Sequence, residues 1–250
     1  MKIWYSFSDR GNYNGNEPYF FETEEFPWVK LLEENYSVIK KELENLIEKE
    51  KFHAYFNSSI VNKKFSWKTI SFMWWNLHFY MNQKKCPETT KLLKQIPHLV
   101  SASFNLLESG ANILPHCGDT NSIYRCHLGL IIPGKLPECG FKVGSELRNW
   151  EEGKILVFCD AHNHTAWNIT KEPRYILLFD VIMPKYASKK NLICANVLAS
   201  LFLQKRAEIF PAFLRIPLKI QFFIHYISKI NILWFVPFRN FISNLFLSNE

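Results

Sequence analysis

The chain has no C-x-x-C pair and no regular cysteine framework: Cys86, Cys117, Cys126, Cys139, Cys159 and Cys194 are scattered. That argues against a disulfide-stapled scaffold and for reduced thiols in a reducing compartment. An apolar leader is also lacking, because Met1-Lys2-Ile3-Trp4-Tyr5-Ser6 runs into polar, Gly/Asn-rich sequence; a cytoplasmic location is expected. No uninterrupted apolar run reaches the roughly 18 residues that a spanning helix needs. No Pro/Gly/Ser-rich hinge divides the 250 residues, which favours one principal domain with attachments. Apolar residues are plentiful, at 48%, with 22 Phe and 8 Trp. They supply a core and leave apolar surface to spare.

Two histidine segments stand out. His116 lies in Leu114-Pro115-His116-Cys117-Gly118-Asp119-Thr120-Asn121, and His164 in Cys159-Asp160-Ala161-His162-Asn163-His164-Thr165-Ala166-Trp167-Asn168. Arg174 follows ten residues later, at the head of the apolar run Tyr175-Ile176-Leu177-Leu178-Phe179. Neutral imidazoles suit Fe(II), and a site with few protein ligands keeps positions open for a bidentate co-substrate and O2. An arginine on a buried strand offers a planar, permanently charged fork to a carboxylate. Burying that charge alone is costly, which predicts either a bound carboxylate or an acidic neighbour such as Asp180.

The blocks His116-x-Gly118-x-Thr120-Asn121, Arg125-x-His127-Leu128-Gly129-Leu130-Ile131-Ile132-Pro133, Trp150-x-Glu152-Gly153-Lys154 and His164-x-x-Trp167-Asn168 with Arg174 occur in this order. Together they resemble the aspartyl/asparaginyl β-hydroxylase family of Fe(II)/2-oxoglutarate-dependent dioxygenases. The resemblance starts near Phe20-Phe21 and is densest from His116 to Pro184. It implies that His116 and His164 hold the iron, with Gly118 where the wider superfamily carries a carboxylate. Asp160 is implied to orient an iron-bound water or a ligand histidine, and Arg174 to pair with the distal carboxylate of 2-oxoglutarate. His127 falls near the other end of that co-substrate, and Arg125 lines the co-substrate and substrate pocket. Asn105 replaces a small hydroxyl residue that helps to hold the co-substrate, a role its amide could fill as a donor. Asp119 is one position off and points to the opposite face of a strand. Ile123 stands where the animal peptide hydroxylase has a substrate-facing arginine, which weakens the case for an acidic substrate.

Local patterns place these residues. Pro27 leads into one helix over roughly residues 28 to 50, and Pro87 starts a short helix through Leu93. Short strands are predicted over 102 to 108, 124 to 132, 139 to 144, 155 to 159 and 174 to 182, with His116 ending one strand and His164 starting a later one. Residues 1 to 20 look irregular. The expected fold is mainly β with flanking helices: a double-stranded β-helix, or cupin-like jelly roll, over residues 1–189, followed by a helical C-terminal extension over 190–250.

That extension is basic and rich in Phe, with Lys190, Lys205, Arg206, Arg215, Lys219, Lys229 and Arg239 against Glu208 and Glu250. Its pattern fits helices at the cytoplasmic face of a membrane. It fits equally well a cover over the barrel or a homo-oligomer interface. No nucleic-acid motif is present, so nucleic acid is not an expected partner.

The expected activity is hydroxylation of an unactivated C–H bond with Fe(II), 2-oxoglutarate and O2. The first substrate class is the β-carbon of an Asp or Asn residue in a peptide or carrier-bound amino acid. The alternative is the acyl chain of lipid A, worked on by a membrane-associated enzyme. Two non-catalytic readings stand beside these: a jelly roll that binds metal and keto acid without turnover, and a structural membrane-associated protein whose histidines belong to the core.

Overall fold

The computed structural model describes residues 2–247; Met1 and residues 248–250, the ends of the two expected units, lie outside the described residues. The strands are β1 Phe20–Phe21, β2 His53–Ala54, β3 Trp67–Trp74, β4 Leu77–His78, β5 Leu99–Leu107, β6 Ala111–His116, β7 Ile123–Ile131, β8 Cys139–Val143, β9 Glu146–Arg148, β10 Ile155–Phe158, β11 His164–Asn168 and β12 Arg174–Ile182. They form two antiparallel sheets. The larger runs β1-β10-β7-β12-β5-β3-β2, with β4 on β3, and the smaller runs β6-β11-β8-β9. This is the expected mainly-β jelly-roll architecture with helices around it.

Successive strand side chains point to opposite faces, and the large sheet is covered on both. Along β12, Tyr175, Leu177, Phe179 and Val181 point to a core shared with α2 (Pro27–Glu34), α3 (Tyr36–Lys49) and α5 (Pro87–Leu93), where Leu32, Ile39 and Leu43 are fully buried. The intervening Arg174, Ile176 and Leu178 face the small sheet across a second core containing Phe141, Phe158 and Ala166. β7 repeats the pattern, with Cys126, Leu128 and Leu130 toward the helices and Arg125 and His127 inward. Period two therefore delivers the polar residues of both central strands to one interior.

Two elements differ from the sequence-based expectation. The single helix predicted over 28 to 50 is two helices that break at Asn35. Its side-chain amide donates to Leu31 O at 2.8 Å, and side-chain bonding of this kind competes with a continuous helical ladder. The segment 1 to 20 is not wholly irregular, since Ser6–Asp9 forms a short helix, α1. The helices α4 (Tyr80–Lys85), α6 (Lys190–Ile209) and α7 (Leu218–Leu247) complete the chain. Residues Ile193, Cys194, Val197, Leu198 and Leu201 of α6 pack with Trp75, Val100, Ile123 and Ile182 of the barrel. Part of the extension is thus a cover over the barrel. All six cysteines are unpaired.

Candidate metal and co-substrate site

His116 and His164 are partners across the β6–β11 pair, and their ring centroids are 4.2 Å apart. His116 Nδ1 lies 2.8 Å from Leu114 O and His164 Nδ1 lies 2.9 Å from His162 O. A carbonyl oxygen only accepts, so each Nδ1 carries the proton and each Nε2 keeps its lone pair. Burial holds both rings below their ordinary pKa, His164 well below with His116 as the next cause. Neutral imidazoles with Nδ1 anchored to backbone carbonyls are a prepared pair of metal donors. Among the described residues no group of three or more His, Cys, Asp and Glu side chains is arranged as a metal cluster. Across β6 and β11 the two rings form a candidate donor pair.

Asp160 sits beside this pair, with Oδ1 3.6 Å from His164 Nε2. Its position is tied to Gly118, whose N–H donates to Asp160 O at 2.8 Å. A Cβ built on Gly118 would overlap the carboxylate of Asp160. The absent side chain at Gly118 thus leaves the volume that the Asp160 carboxylate fills. Arg125 Nη1 binds Asp160 Oδ1 at 2.5 Å, while Asp160 Oδ2 is buried without a partner.

Arg174, at the start of β12, is 1% exposed, and its Nε and Nη1 are buried without partners. Its guanidinium lies over the ring of Trp150, 4.4 Å from the centroid, and burial pushes its pKa down to about 10. Asp180, the acidic neighbour considered for it, pairs instead with Arg125, which donates from Nε at 2.8 Å and from Nη2 at 3.0 Å. The reason is strand parity: positions 174 and 180 share a face of β12 but lie six residues apart, whereas Asp180 is opposite Arg125 in the β12–β7 register. His127 Nδ1 accepts from Trp150 Nε1–H at 3.3 Å, and burial holds this ring well below its ordinary pKa. The neutral ring therefore carries its proton on Nε2, a buried donor without a partner. Asn105 lines the site, but its Nδ2 donates to Ser103 O and Oγ, and its Oδ1 accepts from Trp67 Nε1–H. Its amide hydrogens are thus not directed at a co-substrate.

Of the eight buried side-chain polar atoms without a partner among the described residues, four belong to Arg174, His127 and Asp160. Leaving such atoms unpaired costs about 1–3 kcal/mol each, so their gathering marks a place prepared for a polar ligand. A cavity of about 30 Å³ joins His116, His164, His127 and Arg174. Trp67, Asn105, Arg125 and Leu178 also line a neighbouring cavity of about 180 Å³, whose walls carry the aromatics Tyr55, Phe56, Trp74 and Phe79, several hydroxyls, and the acids Asp119 and Asp180. Trp150 was given no role from sequence, and Asp180 was considered only as a partner of Arg174. Trp150 orients His127 and supports Arg174; its place in a motif block was the signal. Asp180 neutralises Arg125, and an acid inside an apolar strand was its signal.

The sequence model of the aspartyl/asparaginyl β-hydroxylase family matches residues 33–184. The chain is 34% identical over 175 residues to an ornithine lipid ester-linked acyl 2-hydroxylase of Rhizobium tropici, covering 68% of this chain and 62% of that protein. It is 30% identical over 169 residues to the human aspartyl/asparaginyl β-hydroxylase, covering 65% of this chain and 22% of that one. It therefore spans less than two thirds of either relative. Among solved structures, a prolyl-4-hydroxylase of Pseudomonas putida aligns at 12% identity and a TM-score of 0.39, over 66% of this chain and 90% of that one. With the family model matching more than half of its length, the chain belongs to the aspartyl/asparaginyl β-hydroxylase family.

Proposed function

We propose that the chain is an Fe(II)/2-oxoglutarate-dependent hydroxylase and that its substrate is the acyl chain of a lipid. His116 and His164 would hold the iron through Nε2, and Arg174 would take the distal carboxylate of 2-oxoglutarate with its unpartnered nitrogens. His127 Nε2–H would donate to an oxygen at the other end of the co-substrate. Asp160 keeps an acceptor, Oδ2, beside the histidine pair and fixes Arg125. Phe141 and Phe158, which pack on His127 and His164, exclude water from that space. Iron with 2-oxoglutarate and O2 supplies the oxidising power to insert oxygen into a C–H bond.

The charge state of the wider cavity carries the choice of substrate. Arg125 is the one cation among the described residues lining it, and two carboxylates already hold its guanidinium. Asp119, its pKa pushed up to about 7 by burial and then by the charge of Asp160, brings no further cation and is about half protonated at pH 7. An aspartyl carboxylate would enter without a counter-ion, whereas aromatic walls favour an alkyl chain. The similarity to a lipid acyl hydroxylase supports the same direction.

The test is succinate release from 2-oxoglutarate by iron-loaded protein in air. Acyl lipids should accelerate it, and His164→Ala and Arg174→Ala should abolish it. Acceleration by Asp or Asn peptides but not by lipids would return the substrate to the peptide class, and absence of turnover with iron and keto acid bound would leave a binding module.

A further inference from the structure

Helix α7 leaves most of its large apolar side chains outside. Its buried positions include Gln221 and His225; Gln221 Nε2 donates to Ile216 O, and His225 Nε2 lies 3.0 Å from Ser200 Oγ and 3.1 Å from Asn196 O. Further along, Asn240 Oδ1 accepts from His78 N–H, and its Nδ2 donates to Asn76 O. Meanwhile Phe223, Ile227, Ile230, Trp234, Phe238 and Phe241 are exposed, Trp234 by 79%. Their steps of four, three, four, four and three put them on one helical stripe. A globular helix orients such a stripe toward its core. Here the barrel side takes Val236 and Ile232 together with these polar groups, and the longer stripe is left outside.

We infer that this face seats on an anionic lipid bilayer, lying in its interface. Charge selects that occupant. Among the described residues from Lys190 onward, the bases are Lys190, Lys205, Arg206, Arg215, Lys219, Lys229 and Arg239, while the only acid is Glu208, which pairs with Lys205. A second copy seated on the same face would bring like charges together across a two-fold axis, whereas phosphate-bearing lipids neutralise them. A Phe- and Trp-rich stripe with basic flanks is the composition of interfacial helices. No helix among the described residues is long and apolar enough to cross a membrane. On the barrel side of the same helix, Arg239 lies over the ring of Phe79, a wall of the wider cavity. Seating at the bilayer stands without the acyl-chain reading; that lipid passes from the bilayer into this cavity rests on it.

The test uses the whole 250-residue chain, iron-free, sedimented with vesicles of phosphatidylcholine, with or without about 30% phosphatidylglycerol. The protein should pellet with the anionic vesicles, and Trp234→Ser with Phe238→Ser and Phe241→Ser should weaken binding at least about tenfold. Sodium chloride at about 0.5 M should also weaken it. Circular dichroism of the triple variant checks that the exposed substitutions leave the fold intact. Wild-type protein that stays in the supernatant, or equal binding by the variant, overturns the inference. So does a dimer by light scattering that the triple substitution dissociates without any vesicle binding. Vesicle binding with no lipid-stimulated succinate release would keep the membrane face and refute the acyl-chain substrate.

Discussion

Replacing Arg174 by Met should stabilise the ligand-free protein while removing its response to 2-oxoglutarate. Arg174 Nε and Nη1 are buried without partners, and burial lowers the pKa from 12.5 to about 10. A base whose folded pKa is depressed destabilises the fold at every pH below that value, and the penalty fades only as pH rises from about 10 to 12.5. At pH 7 the full difference acts, about 3 kcal/mol. The stacking on Trp150 offsets about 1–2 kcal/mol of it. Met fills much of the same volume, so Arg174→Met should gain about 1–2 kcal/mol, or a few degrees in Tm for a chain of this size. Wild-type protein should gain about 2.7 kcal/mol from 2-oxoglutarate at a hundred times its Kd, because only the native state binds it. The variant should gain nothing. Thermal unfolding of both proteins, with and without 2-oxoglutarate, reads both effects. A variant less stable than wild type without ligand would mean that the guanidinium has a structural partner. A retained 2-oxoglutarate shift would remove Arg174 from the co-substrate site.

Asp119→Asn should stabilise the protein increasingly as pH rises. Asp119 has its pKa raised from 3.8 to about 7, so the native state holds that proton more tightly and stability falls across this window, by at most about 4 kcal/mol; denaturant unfolding at pH 5 and pH 8 should show the larger gain at pH 8, and a pH-independent gain refutes the shift. Gly118→Ala should cost about 1–3 kcal/mol by driving a methyl into the Asp160 carboxylate. Adding Asp160→Ala should cost less than the two single effects summed, and additivity in that double-mutant cycle would show that the two positions do not compete for one volume. His116→Ala and His164→Ala should each weaken Co(II) binding, followed by absorbance, at least about 100-fold with unchanged circular dichroism; unaltered binding would move the metal elsewhere.

The sheet core was legible because its chemistry alternates. On β5, β7 and β12 one face meets helices and the other meets the site, so apolar and polar residues exchange at period two, and the predicted strands fall within a few residues of Leu99–Leu107, Ile123–Ile131 and Arg174–Ile182. β6 was harder to read, since Pro115 interrupts a strand pattern. It is tolerated there because β6 is the edge of the small sheet. The histidine pair, Arg174 and His127 were visible through motif order, and the structure gathers them around one small cavity. The fit of Asp160 into the volume left by Gly118 was not visible, because it depends on how the turn after β10 meets the end of β6. Nor was the orientation of α7: its hydropathy pattern defines a stripe but does not say which side the barrel will take.

Those hidden contacts divide the interior into two electrostatic compartments. Arg174 has no acid beside it and keeps two buried nitrogens unpaired, so the inner end attracts a carboxylate. Arg125, on the neighbouring strand β7, is held by Asp160 and Asp180, and Asp119 lies on the same side. There the cation is outnumbered, and a second carboxylate would be repelled. On the proposed reading, the same two charged strands would take a dicarboxylate at one end and leave the other to an uncharged chain. On that reading, exchanging Asp180 for Asn should release part of Arg125 and raise succinate release with an Asp peptide relative to an acyl lipid; an unchanged ratio would refute a part for Asp180 in substrate choice.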